Sequence, residues 1–382
     1  MDNITHTLTG AALGAAGLRR LTPLATATLV LAANAPDVDI LSYLNGEYAA
    51  LAFRRGWTHG IPALLVWPFI VAGVVLAYDR LVRRRRRPDA EPARAGPLAL
   101  LALIGVATHP ALDWLNTYGM RWLVPIDRSW SYGDAVFIVD PWLWLLLGGG
   151  VVIGYATSRL RLGGWILLGA LMSWLVLGTG VVPPAARLVW IAGIVLIAAA
   201  RALGSATFRA RRREHLARGA AALAVTYIVA MIAMDGAARR DVARQLGERQ
   251  AVLDLMIAPA PANPFAAGVV IVTADGYQFG EHHWLRRERF VLEPAAVPNT
   301  AGPAGLGRAT LETILARARR DPRVRDFLVW SRYPFFHVAD AGGAYDVRIG
   351  DARYSRRGGG SLGGLVVSVP YADVNPTTGE SQ

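Results

Sequence analysis

One stretch of this chain sets an imidazole and a carboxylate at a spacing that suits a metal ion: Thr108-His109-Pro110-Ala111-Leu112-Asp113, continuing through Asn116 and Thr117 to Gly119. On a helix, residues four apart share a face, so His109 and Asp113 can grip one ion together. The pair closes an apolar run, residues 98–107. Polar ligands where a helix leaves hydrocarbon are costly, and such residues read as functional. The plainer alternative is that His109 caps a turn and Asp113 opens the next helix. Four more side chains could join them. His6 precedes a small-residue segment, Asp37 and Asp39 follow Pro36, and His59 ends Arg54-Arg55-Gly56-Trp57-Thr58-His59.

These residues need elements to position them. Two apolar pieces, 8–18 and 24–33, are broken by Arg19-Arg20-Leu21-Thr22-Pro23. Each is shorter than the ~20 residues of a straight span, so a tilted or re-entrant hairpin is predicted. A hairpin returns the chain to its start and brings His6 toward Asn34-Ala35-Pro36-Asp37-Val38-Asp39. Residues 61–78 read as a transmembrane helix with His59 at its mouth, followed by an arginine block at 83–87 and a Pro/Ala/Glu-rich linker to Gly96. Residues 98–115 return through the bilayer. A loop rich in Trp, Arg and Asp runs from Asn116 to Asp140, a composition that suits a headgroup interface. Further apolar runs follow at 142–157, 165–182, 188–203 and 219–234.

The arginines set a topology. With 83–87 inside, alternate crossings put Arg159, Arg161 and the block at 209–213 inside as well, and place residues after Asp235 outside. The same count gathers Asp37, Asp39, His59, His109 and Asp113 at the outer face. His6 joins them if both pieces of the hairpin cross.

Composition agrees. The 382 residues are 53% hydrophobic and 18% charged, with a mean hydropathy of +0.33, too apolar for an ordinary soluble domain. All 40 basic residues are Arg, which suggests codon bias, so single arginines carry little information about phosphate recognition. The net charge of +12 lies in blocks beside apolar segments, which mark membrane flanks, and no nucleic-acid partner is expected. With no cysteine, disulfides and thiolate metal sites are excluded. No signal peptide is evident in the polar start Met1-Asp2-Asn3-Ile4-Thr5-His6.

The expected architecture is a polytopic α-helical membrane protein with a C-terminal extramembrane α+β domain containing a small antiparallel sheet. Its parts are a metal-site membrane domain (1–140), a four-helix transmembrane region (141–235) and a soluble, extracytoplasmic domain (236–382). In the last, helices are predicted at 243–256 and 311–320. Strands are predicted at 268–273, 289–292, 326–330 and 365–369, with turns at Asp275-Gly276 and Gly342-Gly343. His282, His283 and His337 lack a carboxylate at ligand-like spacing and are read as surface or core residues; His215, beside an arginine block, is read as a solvated loop residue.

The N-terminal part resembles the YdjM-like family of bacterial inner-membrane proteins regarded as metal-dependent hydrolases. Four motifs in order carry the resemblance over roughly residues 1–140: Thr5-His6, Asn34-Ala35-Pro36-Asp37-Val38-Asp39, Arg55-Gly56-Trp57-Thr58-His59, and His109-x-x-x-Asp113-x-x-Asn116-Thr117-x-Gly119. Arg54 stands where the family often has a further His, and Gly60 where a Ser often follows. The motif order is more distantly similar to that of the zinc-dependent phospholipase C and single-strand nuclease superfamily of all-helical enzymes. That likeness implies a first metal held by Asp37 or Asp39 with His59, His109 and Asp113, and a second held by His6 and Asp113. The superfamily's later His-x-x-x-Glu is missing, so one or two ions are expected.

Imidazole and carboxylate ligands with open positions suit Zn²⁺, or Mn²⁺ if oxygen dominates, and either ion can lower the pKa of bound water toward neutrality. The expected function is a metal-dependent phosphoester hydrolase at the outer membrane face, working on a lipid or lipid-linked phosphate. Asp134 or Asp140 is a candidate general base or supporting partner, and Asn116 and Thr117 are candidates to orient a ligand. Two other classes stay open: a non-catalytic scaffold whose metal ties helices together, and a transporter. The transporter fits less well, because its ionisable residues would sit near the midplane between repeats.

Overall fold

The structure is a computed structural model that describes residues 1–247, 251–355 and 364–374. Its helices in chain order are α1 (Asn3–Ala15), α2 (Ala25–Asn34), α3 (Glu47–Phe53), α4 (Ile61–Tyr78), α5 (Arg84–Arg86), α6 (Ala95–Trp114), α7 (Pro141–Tyr155), α8 (Arg159–Gly178), α9 (Pro184–Leu203) and α10 (Ala206–Leu246). Two compact units emerge. The first comprises Met1–Asp39, Arg55–Ala237 and Pro259–Pro264; the second takes Ile40–Arg54, Ala238–Ala258 and the described residues from Phe265 onward.

Among the described residues, five helical stretches are long and apolar enough to cross a membrane: Ile61–Arg86, Ala95–Trp114, Arg159–Gly178, Pro184–Leu203 and Arg211–Leu246. The chain is a multi-pass membrane protein. The hairpin α1–α2 is different. Its helices have 13 and 10 residues, so at 1.5 Å per residue they rise only ~20 and ~15 Å against a hydrocarbon core of ~30 Å. They form a hairpin, turned at Gly17 (φ 134) and Leu24 (φ 66). α1 begins sharply because the Asp2 carboxylate accepts from Thr5 N at 3.0 Å and from Thr5 Oγ1 at 2.6 Å.

Small residues let these helices approach closely, as membrane packing requires. A Cβ on Gly10 would lie 2.8 Å from Leu29 O, and one on Gly105 would lie 2.9 Å from the same carbonyl and 2.7 Å from Ala32 Cβ. α2 is thereby clasped between α1 and α6. Val71 and Val75 of α4 bury against Leu98 and Ala102 of α6. α7 is capped by Asp140, which accepts from Trp142 N (2.9 Å) and Leu143 N (3.0 Å) and also from the Tyr227 hydroxyl of α10 (2.7 Å).

The second unit holds two four-stranded sheets. The first has order β1 (Asp254–Ala260), β2 (Asn263–Val272), β3 (Gly276–His283), β4 (Phe290–Pro298), with β2, β3 and β4 paired antiparallel. The second has order β5 (Thr300–Ala301), β6 (Pro334–Asp340), β7 (Ala344–Asp351), β8 (Leu365–Pro370), antiparallel except for the short parallel pairing of β5 with β6. Met256, Phe279 and Phe335 share one core. The same unit holds helices α11 (Arg308–Ala318) and α12 (Pro322–Trp330), with α3 against α12 through Tyr48 and Phe327.

Two expectations are corrected. Residues 326–330 are helical: Asp321 caps the start, Pro322 occupies the first turn, and the buried residues Val324, Phe327 and Trp330 recur every third position rather than every second. The helix expected over 243–256 ends at Leu246, where Gly247 takes φ 58, and Met256 lies in β1.

Candidate metal centre

His109 and Asp113 lie on one face of the last turns of α6, both fully buried. The loop before α4 contributes His59, also fully buried, and the 3-10 segment after α2 (Ala35–Asn45) contributes Asp37. Asp37 Oδ1, His59 Nε2, His109 Nε2 and Asp113 Oδ2 can hold one ion, all four atoms lying within 4.8 Å of one another. His59 Nε2 is 3.1 Å from His109 Nε2 and 3.2 Å from Asp113 Oδ2, and His109 Nε2 is 3.4 Å from Asp113 Oδ2. Asp37 Oδ1 stands further off, 3.6 Å from His109 and 3.8 Å from His59. Metal–nitrogen bonds of ~2.0–2.1 Å in a tetrahedron imply donor–donor edges of ~3.4 Å, so the spacing fits a Zn²⁺-sized ion.

The protons point the same way. His109 Nδ1 lies 2.6 Å from Ala33 O, a group that only accepts, so Nδ1 carries a proton and Nε2 of the neutral ring presents a lone pair. His59 Nδ1 lies 2.8 Å from Thr58 Oγ1 and 3.4 Å from Asp39 Oδ2, and the Thr58 hydroxyl donates to Asp39 at 3.4 Å. His59 therefore also turns a lone pair inward. Asp113 Oδ2 accepts no hydrogen bond from the described residues, although Arg55 Nε is 3.0 Å away. Two imidazole lone pairs and two carboxylate oxygens meeting in a buried space repel unless a cation lies among them.

The other expected site residues take distinct positions. Asp39 does not face the four donors; it sits behind His59 and also accepts from Arg55 N at 3.1 Å. A 3-10 turn advances ~120° per residue, so residues two apart point to different sides. His6 stacks on His109 at a ring separation of 3.8 Å, and its Nε2 lies 3.2 Å from Asp113 Oδ1, beside the Met1 ammonium that also contacts that oxygen. Asp113 thus turns one oxygen to the four-donor cluster and the other to His6. The predicted hairpin closure is present: Asn3 Nδ2 donates to Asp37 Oδ2 at 2.8 Å and Asn34 Nδ2 to Thr7 Oγ1 at 3.1 Å. Asn116 Oδ1 accepts from Tyr118 N at 2.9 Å and from Arg55 Nη1 at 3.4 Å, which steadies the loop after α6. Asp134 is buried with φ 49, and Thr117 lies in the turn after α6. Asp140 has the contacts of a helix cap.

Arg55 is the residue beside the four donors that the sequence motifs do not single out. It is buried, in the left-handed region (φ 56), with Nε toward Asp113 Oδ2, Nη1 donating to Asp113 O at 3.1 Å, and its guanidinium 4.8 Å from the Tyr118 ring. The signal was its place in Arg55-Gly56-Trp57-Thr58-His59, discounted because arginine is the sole cation of this chain.

Fold and site together define a multi-pass membrane protein with a buried His/Asp group able to hold a metal ion, built where the α1–α2 hairpin meets α4 and α6. Residues 1–185 match the family model described as YdjM inner membrane protein, which bears out the resemblance carried by the four motifs. The chain is also 29% identical over 166 residues to the "Uncharacterized protein YfhP" of Bacillus subtilis (strain 168), covering 41% of this chain and 47% of that one. The chain thus spans about half the length of the curated relative it matches. No solved structure matches.

Proposed function

We propose that the protein is a membrane-bound, metal-dependent hydrolase of a lipid or lipid-linked phosphoester. The observation that carries this reading is the meeting of two imidazole nitrogens with two carboxylate oxygens in a buried space. Zn²⁺ is the best fit, Mn²⁺ the second. When bound, the ion supplies Lewis acidity toward a coordinated water and offsets charge on phosphoryl oxygens.

The chain's own residues support the lipidic half of the reading. A cavity of about 430 Å³ opens beside Asp37, with Asn3 and Asn34 at its polar edge and Trp67, Ile70 and Val74 of α4 along its wall. Val74 and Ile70 are exposed on a membrane-spanning helix, so this wall is continuous with the hydrocarbon region. Asp37, with a side-chain exposure of 12%, is the least buried of the four donors and the one that lines this cavity. An amphiphile with its phosphate at Asp37 and its chain along α4 matches that arrangement.

A second reading rests on the same donor count. Four protein ligands close a tetrahedron, as structural zinc sites do, whereas catalytic ones keep a position open. The test is elemental analysis of the detergent-purified protein beside His109→Ala and His59→Ala, with phosphodiesterase and phospholipase assays on the same samples. The hydrolase reading expects metal and turnover in the parent chain and loss of both in each variant, with membrane insertion intact. Metal without turnover would favour the closed site, and no metal at all would sink the assignment.

A further inference from the structure

The geometry points to a second, separate lipid site between α7, α8 and α9, which would hold one acyl chain of an anionic phospholipid with its phosphate beside Arg201. The cavity there measures about 550 Å³, within the ~300–1,000 Å³ range of ligand pockets. Apart from Ser173 and Arg201 its wall is apolar, and Ser173 is occupied by the Trp190 indole at 3.0 Å. Glycines leave the space: a side chain at Gly169 would meet nothing within 4 Å, and one at Gly148 would meet only Leu8 at 3.8 Å. Ile166, 63% exposed, stands on the rim, so the cavity opens sideways on helices that lie in hydrocarbon. A dry apolar space open to a bilayer is filled by the bilayer's own chains.

Charge identifies the headgroup. Arg201, near the C-terminal end of α9, donates from Nη2 to Ala156 O at 2.6 Å, which pins the guanidinium to the wall at the end of α7. Arg159 and Arg161 begin α8, and Leu162 beside them lines the cavity. Three arginines at one end of an apolar cavity between spanning helices match the chemistry of a phosphate headgroup with a buried chain. The cavity reaches Trp144 and Leu8 at the other end of α7, but none of Asp37, His59, His109 and Asp113 lines it, so this site is distinct from the candidate metal centre and does not rest on hydrolysis.

The test is native mass spectrometry of the full chain released from bilayers of equal phosphatidylglycerol and phosphatidylcholine. The parent chain is expected to retain phosphatidylglycerol about fivefold over phosphatidylcholine, the preference that one arginine near a membrane surface supplies. Arg201→Gln should lower the preference and Arg201→Lys keep most of it. Gly169→Leu should fill the cavity and lower retention of both lipids, while Gly163→Leu, on the same helix with nothing within 4 Å and outside the cavity, should not. Equal retention of the two lipids by the parent chain, or unchanged retention in Gly169→Leu, would overturn the proposal.

Discussion

Asp39 offers the sharpest test of how the metal centre is built. Its carboxylate stands 3.4 Å from His59 Nδ1, on the far side of the ring from the donor atoms, and accepts from Arg55 N and from the Thr58 hydroxyl. That is the position from which an outer carboxylate fixes a ligating imidazole's tautomer and raises its basicity. Asp39→Asn keeps the volume and one accepting oxygen but removes the charge. Zinc affinity should then fall ~10–100-fold, the range for loss of such a partner, which corresponds to ~1.4–2.7 kcal/mol. The assay is competitive titration of Zn²⁺ against a chromophoric chelator on detergent-purified protein, with circular dichroism to show that the helices persist. An unchanged affinity would refute the supporting role. Abolition as complete as in His109→Ala would refute it from the other side, by making Asp39 itself a ligand.

Two further outcomes follow from the same geometry. Asp37→Asn separates the readings of the metal centre: the hydrolase reading expects metal to remain on His59, His109 and Asp113 while turnover is lost, and a closed structural site expects the metal itself to go, which elemental analysis with the same assays would distinguish. In the second unit, Asp351 is fully buried and accepts from Ser331 Oγ (2.7 Å), Arg332 N (2.8 Å) and Arg353 Nη2 (2.9 Å). Burial raises its pKa, but Arg353 and these donors outweigh that and lower it below the ordinary value. A depressed carboxylate stabilises the fold at pH above its unfolded value of ~3.9 and loses that contribution as pH falls through the folded value. Asp351→Asn removes the carboxylate charge 2.9 Å from the buried Arg353 guanidinium, at a cost of ~3–5 kcal/mol, and should make the strands around β7 protease-sensitive at neutral pH. Equal resistance of the two proteins from neutral pH down to acid would count against it.

Much of the site was legible because it is local. The four-residue spacing of His109 and Asp113 is a helix repeat, and a hairpin too short to span must return His6 to Asp37. What the sequence left open was the choice between Asp37 and Asp39. Residues two apart in a 3-10 turn point to different sides, and an Asp-x-Asp motif does not say which of them faces the histidines. Arg55 was hidden for another reason: in a chain without lysine, an arginine that pins a ligand reads like any other cation. In the second unit, Asp326 to Trp330 reads as an apolar strand in isolation, and only the Asp321-Pro322 start and the three-residue recurrence of Val324, Phe327 and Trp330 make it a helix.

The burial and spacing of the donors connect these points. Three of the four are fully buried, and their mutual distances of 3.1–3.4 Å leave little freedom, because α2, α4 and α6 are locked together through Gly105 and the packing of Val71 and Val75. Asp37 is the exception in exposure and in distance. It stands on a 3-10 segment, tethered by Asn3 from the hairpin's first turn. A group held by a hydrogen bond between two short elements can shift by a few tenths of an ångström more cheaply than one fixed in a packed helix. On the proposed reading, the three rigid donors would keep the ion and Asp37 would yield the side that faces the α4 cavity, where a phosphate could reach it. A site built only to staple helices has no need to place its loosest donor at a face open to the hydrocarbon.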